Sequence, residues 1–268
     1  MDPISVEFIS EGAKVRGRFF AAVETDEPTT LLFIPGWSDP AGDPYDDLSL
    51  SALLAEKRIN VCTFNPRGLH PSGGIHTHAG TLQDIGAALQ WLRQAEVQKQ
   101  FKVDTARLAL GGYSYGGGMA MAYAAQDPSV HRVISIAGND HGEFAREIQR
   151  HTPKIESILR WLSSTYGPEG PARGDFEANI KDLIEHQDIY GLRENAANLA
   201  DRSILMVSGW EDTGPTIDEY QLPLYRALKD AGAANVTFIV YHTDHNFSNV
   251  RQRLASDIAD WLLRGLNA

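Results

Sequence analysis

The chain of 268 residues is acidic, with a formal net charge of −11, and it combines 43% hydrophobic with 22% charged residues. This composition is typical of a globular protein with a sizeable core. A phosphate-binding surface needs clustered lysine and arginine, and the sequence contains no basic run. We therefore expect the protein to bind neither nucleic acid nor an anionic membrane surface.

Cysteine content and the first residues bear on the cellular compartment. Cys62 is the single cysteine, so no disulfide can form within the chain, and we interpret it as a small buried residue rather than a reactive thiol. The N-terminus lacks a basic segment followed by an apolar core, and no apolar run approaches the length of a membrane span. We expect a cytoplasmic protein.

The first predicted elements are two strands at residues 4–9 and 14–22, joined by a glycine turn into an antiparallel hairpin. Continuous apolar runs at residues 30–34 and 59–64 predict strands buried on both faces. Between these runs we predict a polar loop, which contains Asp39, Pro40, Gly42, Asp43 and Pro44, and a helix from about residue 48 to 57. A helical stripe predicts one long helix over residues 81–98.

Strands and helices alternate through most of the remaining chain. Runs at residues 107–110, 133–138, 204–208 and 236–241 predict four more strands, eight in all, and a closing helix follows at about residues 249–263. This order implies an α/β fold with a mostly parallel sheet covered by helices on both faces. Ligands bind such sheets at the carboxyl ends of strands, where we expect Trp37, Asn65 and Asn139 to share one crevice.

Residues 141–200 interrupt the alternation, because one helix would suffice between two core strands and about sixty residues intervene. Two helical stripes lie on either side of a joint rich in glycine and proline at residues 167–171. We predict that residues 1–140 and 201–268 form the core and that residues 141–200 form a helical cap over the crevice. The alternative is a small helical bundle packed elsewhere.

A motif of the form Gly-x-Ser-x-Gly occurs as Gly112-Tyr113-Ser114-Tyr115-Gly116. A strand precedes it and a helix-compatible run follows it, so the serine is expected on a sharp turn at a helix N-terminus. The flanking glycines are needed there because a side chain would collide with the strand or the helix. The partial positive charge of the helix N-terminus favours an anion near Ser114.

A serine hydroxyl needs a base within hydrogen-bond reach, and the base needs an orienting partner. After Ser114 the chain offers Asp212 in the loop after the strand at 204–208, and His245 in the loop after the strand at 236–241. Glu211 and Asp218 are alternatives for the acid, and His242 is an alternative for the base. The order Ser, Asp, His after successive strands favours Ser114, Asp212 and His245 as a catalytic triad.

Two other motifs suggest binding sites that we do not expect to exist. His70, His76 and His78 lie in a glycine-rich segment, but no cysteine or acidic cluster completes a ligand set, so we expect solvent-facing side chains and no metal. Three consecutive glycines follow Tyr115 without the Gly-Lys-Ser/Thr of a phosphate-binding loop, so we expect no nucleotide.

Taken together, these motifs resemble the α/β-hydrolase superfamily over nearly the whole chain. Residues 112–116 match its nucleophile elbow, and Gly209-x-x-Asp212 resembles its acid loop. The segment Thr243-Asp244-His245 is similar to the histidine region of its esterase and prolyl-oligopeptidase-like branches. The segment Asn65-Pro66-Arg67-Gly68 is similar to its Asp-x-Arg-Gly loop.

The resemblance also implies an oxyanion hole made of two backbone N–H groups, those of Tyr115 and Trp37. This chain has Pro35-Gly36-Trp37 where the family often has His-Gly-x, and proline does not remove the N–H of Trp37. We further expect Asn139, Trp161, Trp210 and Tyr166 to line the substrate pocket, although the aromatic residues are equally consistent with ordinary packing.

The function implied is that of a serine hydrolase that cleaves small to medium carboxylic esters through an acyl-enzyme, without metal or organic cofactor. The prolyl-oligopeptidase-like resemblance leaves amide or peptide cleavage as an alternative, but that branch usually carries a β-propeller, for which this chain has no room. The remaining alternative is a non-catalytic relative that binds a small ligand. It should lack a complete triad, whereas this sequence offers all three members.

Overall fold

A computed structural model describes residues 2–37, 43–46, 48–168 and 170–264 of the chain. The loop predicted around Asp39, Pro40 and Gly42 lies largely outside the described residues, as does Glu169 of the glycine- and proline-rich joint. Among the described residues no helix combines the length and the apolar character needed to cross a membrane.

Eight strands form one sheet within the described part of the chain, as the sequence predicts. They are β1 (Ile4–Ser10), β2 (Ala13–Phe20), β3 (Thr29–Ile34), β4 (Ile59–Asn65), β5 (Leu108–Tyr113), β6 (Arg132–Ile136), β7 (Ser203–Gly209) and β8 (Val236–Tyr241). Their order across the sheet is β1-β2-β4-β3-β5-β6-β7-β8. β1 and β2 form the predicted antiparallel hairpin, β2 pairs antiparallel with β4, and every other neighbouring pair is parallel.

The helices of the described residues follow in chain order. They are α1 (Leu50–Ala55), α2 (His78–Leu92), α3 (Ala95–Phe101), α4 (Tyr115–Gln126), α5 (His141–Arg150), α6 (Pro153–Ser164), α7 (Phe176–Glu185), α8 (Gln187–Tyr190), α9 (Ala196–Leu199), α10 (Leu222–Asp230) and α11 (Arg251–Arg264). A short 3₁₀ turn (Thr105–Arg107) precedes β5, and a π-helical turn (Ile217–Gln221) precedes α10.

Helices cover both faces of the sheet because successive side chains of a buried strand point to opposite faces. In β3, Leu32 and Ile34 belong to a core cluster that also contains residues of α2, α4 and α10, whereas Leu31 and Phe33 belong to a second cluster with residues of α1 and α11. All six residues of β3 are buried. The continuous apolar run in the sequence therefore corresponds to a strand at the centre of two cores.

The prediction of one long helix over residues 81–98 is wrong. The first helix, α2, begins earlier at His78, where the Thr77 hydroxyl accepts a hydrogen bond from the Gly80 N–H, and it ends at Leu92. Gln94 then adopts an extended backbone, with φ −69° and ψ 135°, before α3 begins. This break turns Phe101 back into the core, where its ring centroid lies 4.3 Å from that of Phe19.

The segment between β6 and β7 contains the five helices α5 to α9. The joint between α6 and α7 is fastened to the loop that follows β4. His70 N–H donates to the carbonyl oxygen of Pro171 at 2.7 Å, and Arg173 N–H donates to that of Gly68 at 2.7 Å. The structure thus contains the helical insertion expected between two core strands, and it ties that insertion to the core.

Candidate active site

Ser114 lies at the turn between β5 and α4, with φ 51° and ψ −115°. A positive φ is costly for a residue with a side chain and occurs where the surroundings enforce it. A Cβ on Gly112 would lie 2.4 Å from the backbone of Gly116, and a Cβ on Gly116 would lie 2.2 Å from the carbonyl oxygen of Ile34. The two glycines of the motif therefore allow the close approach of strand and helix that the sequence predicts.

The structure brings Ser114, His245 and Asp212 together in one hydrogen-bonded chain. His245 Nε2 lies 3.0 Å from Ser114 Oγ, and His245 Nδ1 lies 2.7 Å from Asp212 Oδ2. An ionised carboxylate can only accept, so Nδ1 carries the proton and Nε2 offers its lone pair to the serine hydroxyl. The Asp212 side chain is 1% exposed and that of His245 is 31% exposed, so the chain runs from a buried acid to an accessible base.

Backbone contacts between two loops place the acid beside the histidine. Trp210 N–H donates to the carbonyl oxygen of Tyr241, and Glu211 N–H donates to that of Thr243. Asp212 follows directly, and its second oxygen, Oδ1, accepts a hydrogen bond from the Gly214 N–H at 2.8 Å. The carboxylate is thereby oriented from both sides, with one oxygen left for the imidazole.

The alternative residues for acid and base lie outside the hydrogen-bonded chain of Ser114, His245 and Asp212. Glu211 and His242 contact each other, with His242 Nδ1 3.2 Å from Glu211 Oε1, and both side chains are exposed. Asp218 lies in the first turn of the π-helical turn before α10 and is exposed. Geometry therefore favours Asp212 and His245 over these three neighbours.

Tyr113 contacts the histidine loop, which the sequence analysis missed. Its hydroxyl lies 3.2 Å from the carbonyl oxygen of His245 and 3.1 Å from Asn246 Oδ1. Its ring centroid lies 5.1 Å from that of His245. The position before Ser114 in the motif was the available signal, since a strand residue at this turn must lie beside whatever approaches the serine.

Trp37 lies in the loop after β3, and Tyr115 is the first residue of α4 after β5. Their rings approach to a centroid distance of 5.4 Å. Tyr115 is the first residue of α4, so its N–H has no acceptor within the helix. The close contact of Gly116 with the backbone of Ile34 and Pro35 brings the start of α4 against the end of β3, next to Trp37. Tyr115 directly follows Ser114 and its ring packs against that of Trp37, and the oxyanion hole formed by their two backbone N–H groups stays a prediction.

A cavity of about 640 Å³ opens above Ser114 and His245. Residues of the insertion line it together with the core, among them Ile158, Trp161 and Leu162 of α6 and Phe176 and Ile180 of α7. The insertion therefore lies over Ser114 as a cap would, and its assignment as a separate cap domain stays a prediction.

The predicted pocket residues have different outcomes in this cavity. Asn139, Trp161 and Tyr166 line it. Trp210 does not, because the turn after β7 leaves its side chain 55% exposed. Asn65 does not line it either, because its amide is buried and donates to the carbonyl oxygen of His70. The predictions that Trp210 lines the pocket and that Asn65 shares the crevice are wrong.

The expectation of solvent-facing histidines is correct for His70 and wrong for His76 and His78, which are 0% and 6% exposed. His76 is held between two tyrosines, with Nδ1 2.8 Å from the Tyr166 hydroxyl and Nε2 2.9 Å from the Tyr115 hydroxyl. Burial lowers the pKa of His76 well below its ordinary value, so it remains neutral. Local sequence carries no sign of this burial, because the partners of His76 and His78 lie far away along the chain.

The described residues contain no metal-binding cluster, that is, no group of three or more histidine, cysteine, aspartate or glutamate side chains placed to hold a metal ion. Cys62 is buried in β4, and desolvation raises its thiol pKa to about 12. The thiol therefore stays protonated, which agrees with its interpretation as a small core residue.

Comparison with known proteins places this geometry in context. Residues 29–174, more than half of the chain, match the profile of a family described as alpha/beta hydrolase fold. A curated relative, an uncharacterized protein named YfhR from Escherichia coli O157:H7, is 29% identical over 123 residues. That match covers 46% of this chain and 42% of the relative, so it spans less than half the length of either.

Solved structures with the same fold cover almost the whole chain. The esterase PF2001 of Pyrococcus furiosus superposes with a TM-score of 0.69 at 18% identity, covering 98% of this chain and 91% of the other. Est1E from Butyrivibrio proteoclasticus gives a TM-score of 0.67 at 13% identity, covering 98% and 99%. The α/β hydrolase GrgF from Penicillium sp. sh18 gives 0.67 at 18% identity, with the same coverage of 98% and 99%. The chain described here belongs to the alpha/beta hydrolase fold family.

Proposed function

We propose that this protein is a serine hydrolase that cleaves carboxylic esters of small to medium size through an acyl-enzyme intermediate. The observation that carries the proposal is the continuous hydrogen-bonded chain from Ser114 Oγ through His245 to Asp212, with distances of 3.0 and 2.7 Å. These are the distances at which a base can take a proton and an acid can hold that base in one tautomer.

In this proposal His245 removes the proton of Ser114, whose oxygen attacks the ester carbonyl. Asp212 keeps the proton of His245 on Nδ1 and stabilises the imidazolium that forms. The imidazolium then protonates the leaving alkoxide, and the acyl group stays on Ser114. A water molecule, deprotonated by His245 in the same way, releases the acid and restores the serine.

The negative charge on the carbonyl oxygen is stabilised by the backbone N–H groups of Trp37 and Tyr115. The position of Tyr115 at the start of α4 supports this role, because helix N-termini present unpaired N–H groups and partial positive charge. Removing one such donor from an acyl-transfer enzyme costs about 3 kcal/mol of transition-state stabilisation.

The cavity supports the proposed size of the substrate. Its volume of about 640 Å³ accommodates a small or medium-sized molecule. Its walls include apolar side chains of α6 and α7, which suit an acyl or alkyl chain. We propose that residues 141–200 act as a cap that limits the length of the acyl or alkyl chain of the substrate and keeps bulk water from the ester.

Turnover of p-nitrophenyl esters and labelling by a fluorophosphonate probe test the proposal. We expect the wild-type protein to do both, and Ser114→Ala and His245→Ala each to lower kcat by about 10⁵-fold while retaining the native circular dichroism spectrum. Ser163→Ala, at an exposed position of α6, is the matched serine control and should behave as wild type.

Two results would contradict the proposal. Absence of Ser114-dependent labelling would favour a non-catalytic ligand-binding protein. A clear preference for aminoacyl p-nitroanilides over p-nitrophenyl esters would make the protein an amidase or peptidase with the same nucleophile.

A further inference from the structure

Two buried imidazole rings form part of the wall of the cavity above Ser114. His78, the first residue of α2, is 6% exposed, and His141, the first residue of α5, is 3% exposed. Their ring centroids are 5.2 Å apart, and both residues line the cavity. The mechanism proposed above uses neither ring.

The hydrogen bonds of His78 establish which of its nitrogens carries the proton. Asn179 Oδ1 accepts from the backbone N–H of His78 at 3.3 Å and lies 3.1 Å from His78 Nδ1. Asn179 Nδ2 is directed at the Tyr166 hydroxyl, 2.9 Å away, which agrees with this orientation of the amide. An amide oxygen only accepts, so His78 carries its proton on Nδ1 and has a lone pair on Nε2.

The same reasoning applies to His141. Its Nε2 lies 3.1 Å from the carbonyl oxygen of Tyr115, which only accepts, so Nε2 carries the proton. The lone pair is therefore on Nδ1, whose contact within the described residues is the Asn139 amide nitrogen at 3.5 Å. A hydrogen bond of that length is weak. The cavity wall thus presents two nitrogen lone pairs.

Both rings remain neutral at ordinary pH. Burial lowers the pKa of His78 to about 3 and that of His141 to about 4, and each pKa is lowered further by a neighbouring histidine. The other charged groups at the cavity are Glu147, Lys154 and Arg251. Glu147 accepts from the Tyr220 hydroxyl and Lys154 pairs with Glu219. The two imidazoles are therefore acceptors and not cations.

An acceptor that faces a cavity loses its water when a ligand fills that cavity, which is costly unless the ligand supplies a donor. Among the described residues, no side chain donates a hydrogen bond to His78 Nε2. The rings that surround His78 are those of His76, Tyr115, His141 and Tyr190. These neighbours include no carboxylate, so an ammonium group would lose its hydration without gaining a counter-ion. A neutral hydroxyl satisfies the acceptor at lower cost.

We propose that the ester carries a hydroxyl group, on its acyl or alcohol side, that donates a hydrogen bond to His78 Nε2, with His141 Nδ1 as the second acceptor. This inference rests on the ester hydrolysis proposed above. It makes His78 a residue that determines specificity, because a site with a buried acceptor discriminates against an isosteric ligand that lacks the donor.

Pairs of esters that differ by hydroxyl in place of methyl test the inference. On the acyl side, methyl β-hydroxybutyrate is compared with methyl isovalerate, and longer acyl chains carry the hydroxyl at successive positions. On the alcohol side, hydroxyethyl butyrate is compared with propyl butyrate. We expect at least one hydroxylated ester to have a kcat/KM about tenfold or more above that of its isostere. One hydrogen bond to an otherwise unsatisfied acceptor changes kcat/KM by about this factor.

Variants of His78 show whether the preference depends on this ring. His78→Leu removes the acceptor. The ratio of kcat/KM for the hydroxylated ester to kcat/KM for its methyl isostere should then fall to near one. His78→Gln places an amide oxygen near the position of Nε2, and the ratio should be largely retained. Tyr190→Phe is the matched control, because it alters a buried aromatic neighbour of His78, 5.5 Å away between ring centroids, while keeping His78 itself.

Calorimetric binding to the Ser114→Ala variant separates this inference from the proposed function. Tighter binding of hydroxylated esters that His78→Leu abolishes supports the inference even if the wild-type protein hydrolyses nothing. Ser114-dependent ester hydrolysis with a ratio near one for every pair would overturn the inference and leave the proposed function standing. A preference that persists in His78→Leu would also overturn it.

Discussion

The hydroxyl of Tyr113 lies 3.2 Å from the carbonyl oxygen of His245, so the residue before the proposed nucleophile holds the residue proposed as its base. The same hydroxyl lies 3.1 Å from Asn246 Oδ1, which extends the contact along the histidine loop. The distance between Ser114 and His245 is therefore set at two points, by the direct contact of their side chains and by this neighbouring contact.

Replacing Tyr113 with phenylalanine removes this second contact while leaving the ring in place. Loss of a positioning hydrogen bond of about 1 kcal/mol should lower kcat about fivefold, with a smaller effect on KM. Steady-state kinetics on a p-nitrophenyl ester give both constants. Tyr123→Phe is the control, because its hydroxyl donates to Asp127 at the end of α4, and it should retain wild-type kcat. Equal values of kcat in wild type and Tyr113→Phe would contradict the positioning role.

Asp212 and Glu211 are neighbours in sequence but face different partners, His245 and His242. Asp212→Asn should lower kcat by about 10⁴-fold, because the amide no longer favours the required tautomer of His245. Glu211→Gln should change kcat by less than about threefold, because its contact is between exposed side chains. Kinetics of both variants at the same pH decide the matter, and the reverse order of effects would move the acid role to Glu211.

Gly116 lies where the start of α4 meets the end of β3. In Gly116→Ala the new Cβ would lie 2.2 Å from the carbonyl oxygen of Ile34 and 2.4 Å from that of Pro35, so backbone must shift. We expect the free energy of unfolding to fall by about 1–3 kcal/mol and turnover to fall with it. Urea unfolding measures the first and ester kinetics the second.

The control for this substitution is Gly86→Ala in the interior of α2. Its Cβ would lie 3.1 Å from the Tyr123 hydroxyl, at the end of a side chain that can move. Alanine also favours helix by about 1 kcal/mol over glycine. A stability of Gly116→Ala equal to that of Gly86→Ala would show that the contact of α4 with β3 is looser than described.

Acid should destabilise the protein through its buried histidines. Unfolded histidine has a pKa of about 6.5, whereas burial lowers the pKa of His78 to about 3 and that of His141 to about 4. Below pH 6.5 the unfolded state binds more protons, so stability falls as the pH drops toward 4. At pH 5 each ring should lower the free energy of unfolding by about 2 kcal/mol.

The buried carboxyl of Asp46 opposes this trend, because burial raises its pKa to about 6. Its folded form binds a proton before the unfolded form does, so Asp46 adds stability as the pH falls from about 6 toward 4. Urea unfolding at pH 7.5 and pH 5 should therefore show a smaller acid loss in His78→Gln than in wild type, and a larger one in Asp46→Asn. Identical losses in all three proteins would exclude these groups as the cause.

Much of the fold could be predicted because its signals are local. The apolar run in β3 predicts a strand buried on both faces, because few residue types suit a two-sided core. The glycines around Ser114 predict a tight turn, because few residue types fit in a crowded turn. The break between α2 and α3 could not be read in this way. Gln94 is compatible with a helix, and the contact of Phe101 with Phe19 that follows the break joins residues far apart in sequence.

Residue order and the resemblance to the α/β-hydrolase superfamily were enough to favour Ser114, Asp212 and His245 as candidates for nucleophile, acid and base. Three-dimensional packing was needed to establish which acidic side chain contacts His245, that the Trp210 side chain is exposed, and that His76 and His78 are buried. Tyr115, Tyr166 and Asn179, which come from three separate segments, surround His76 and His78. The burial and protonation of a side chain depend on such distant neighbours, which spacing along one chain does not encode.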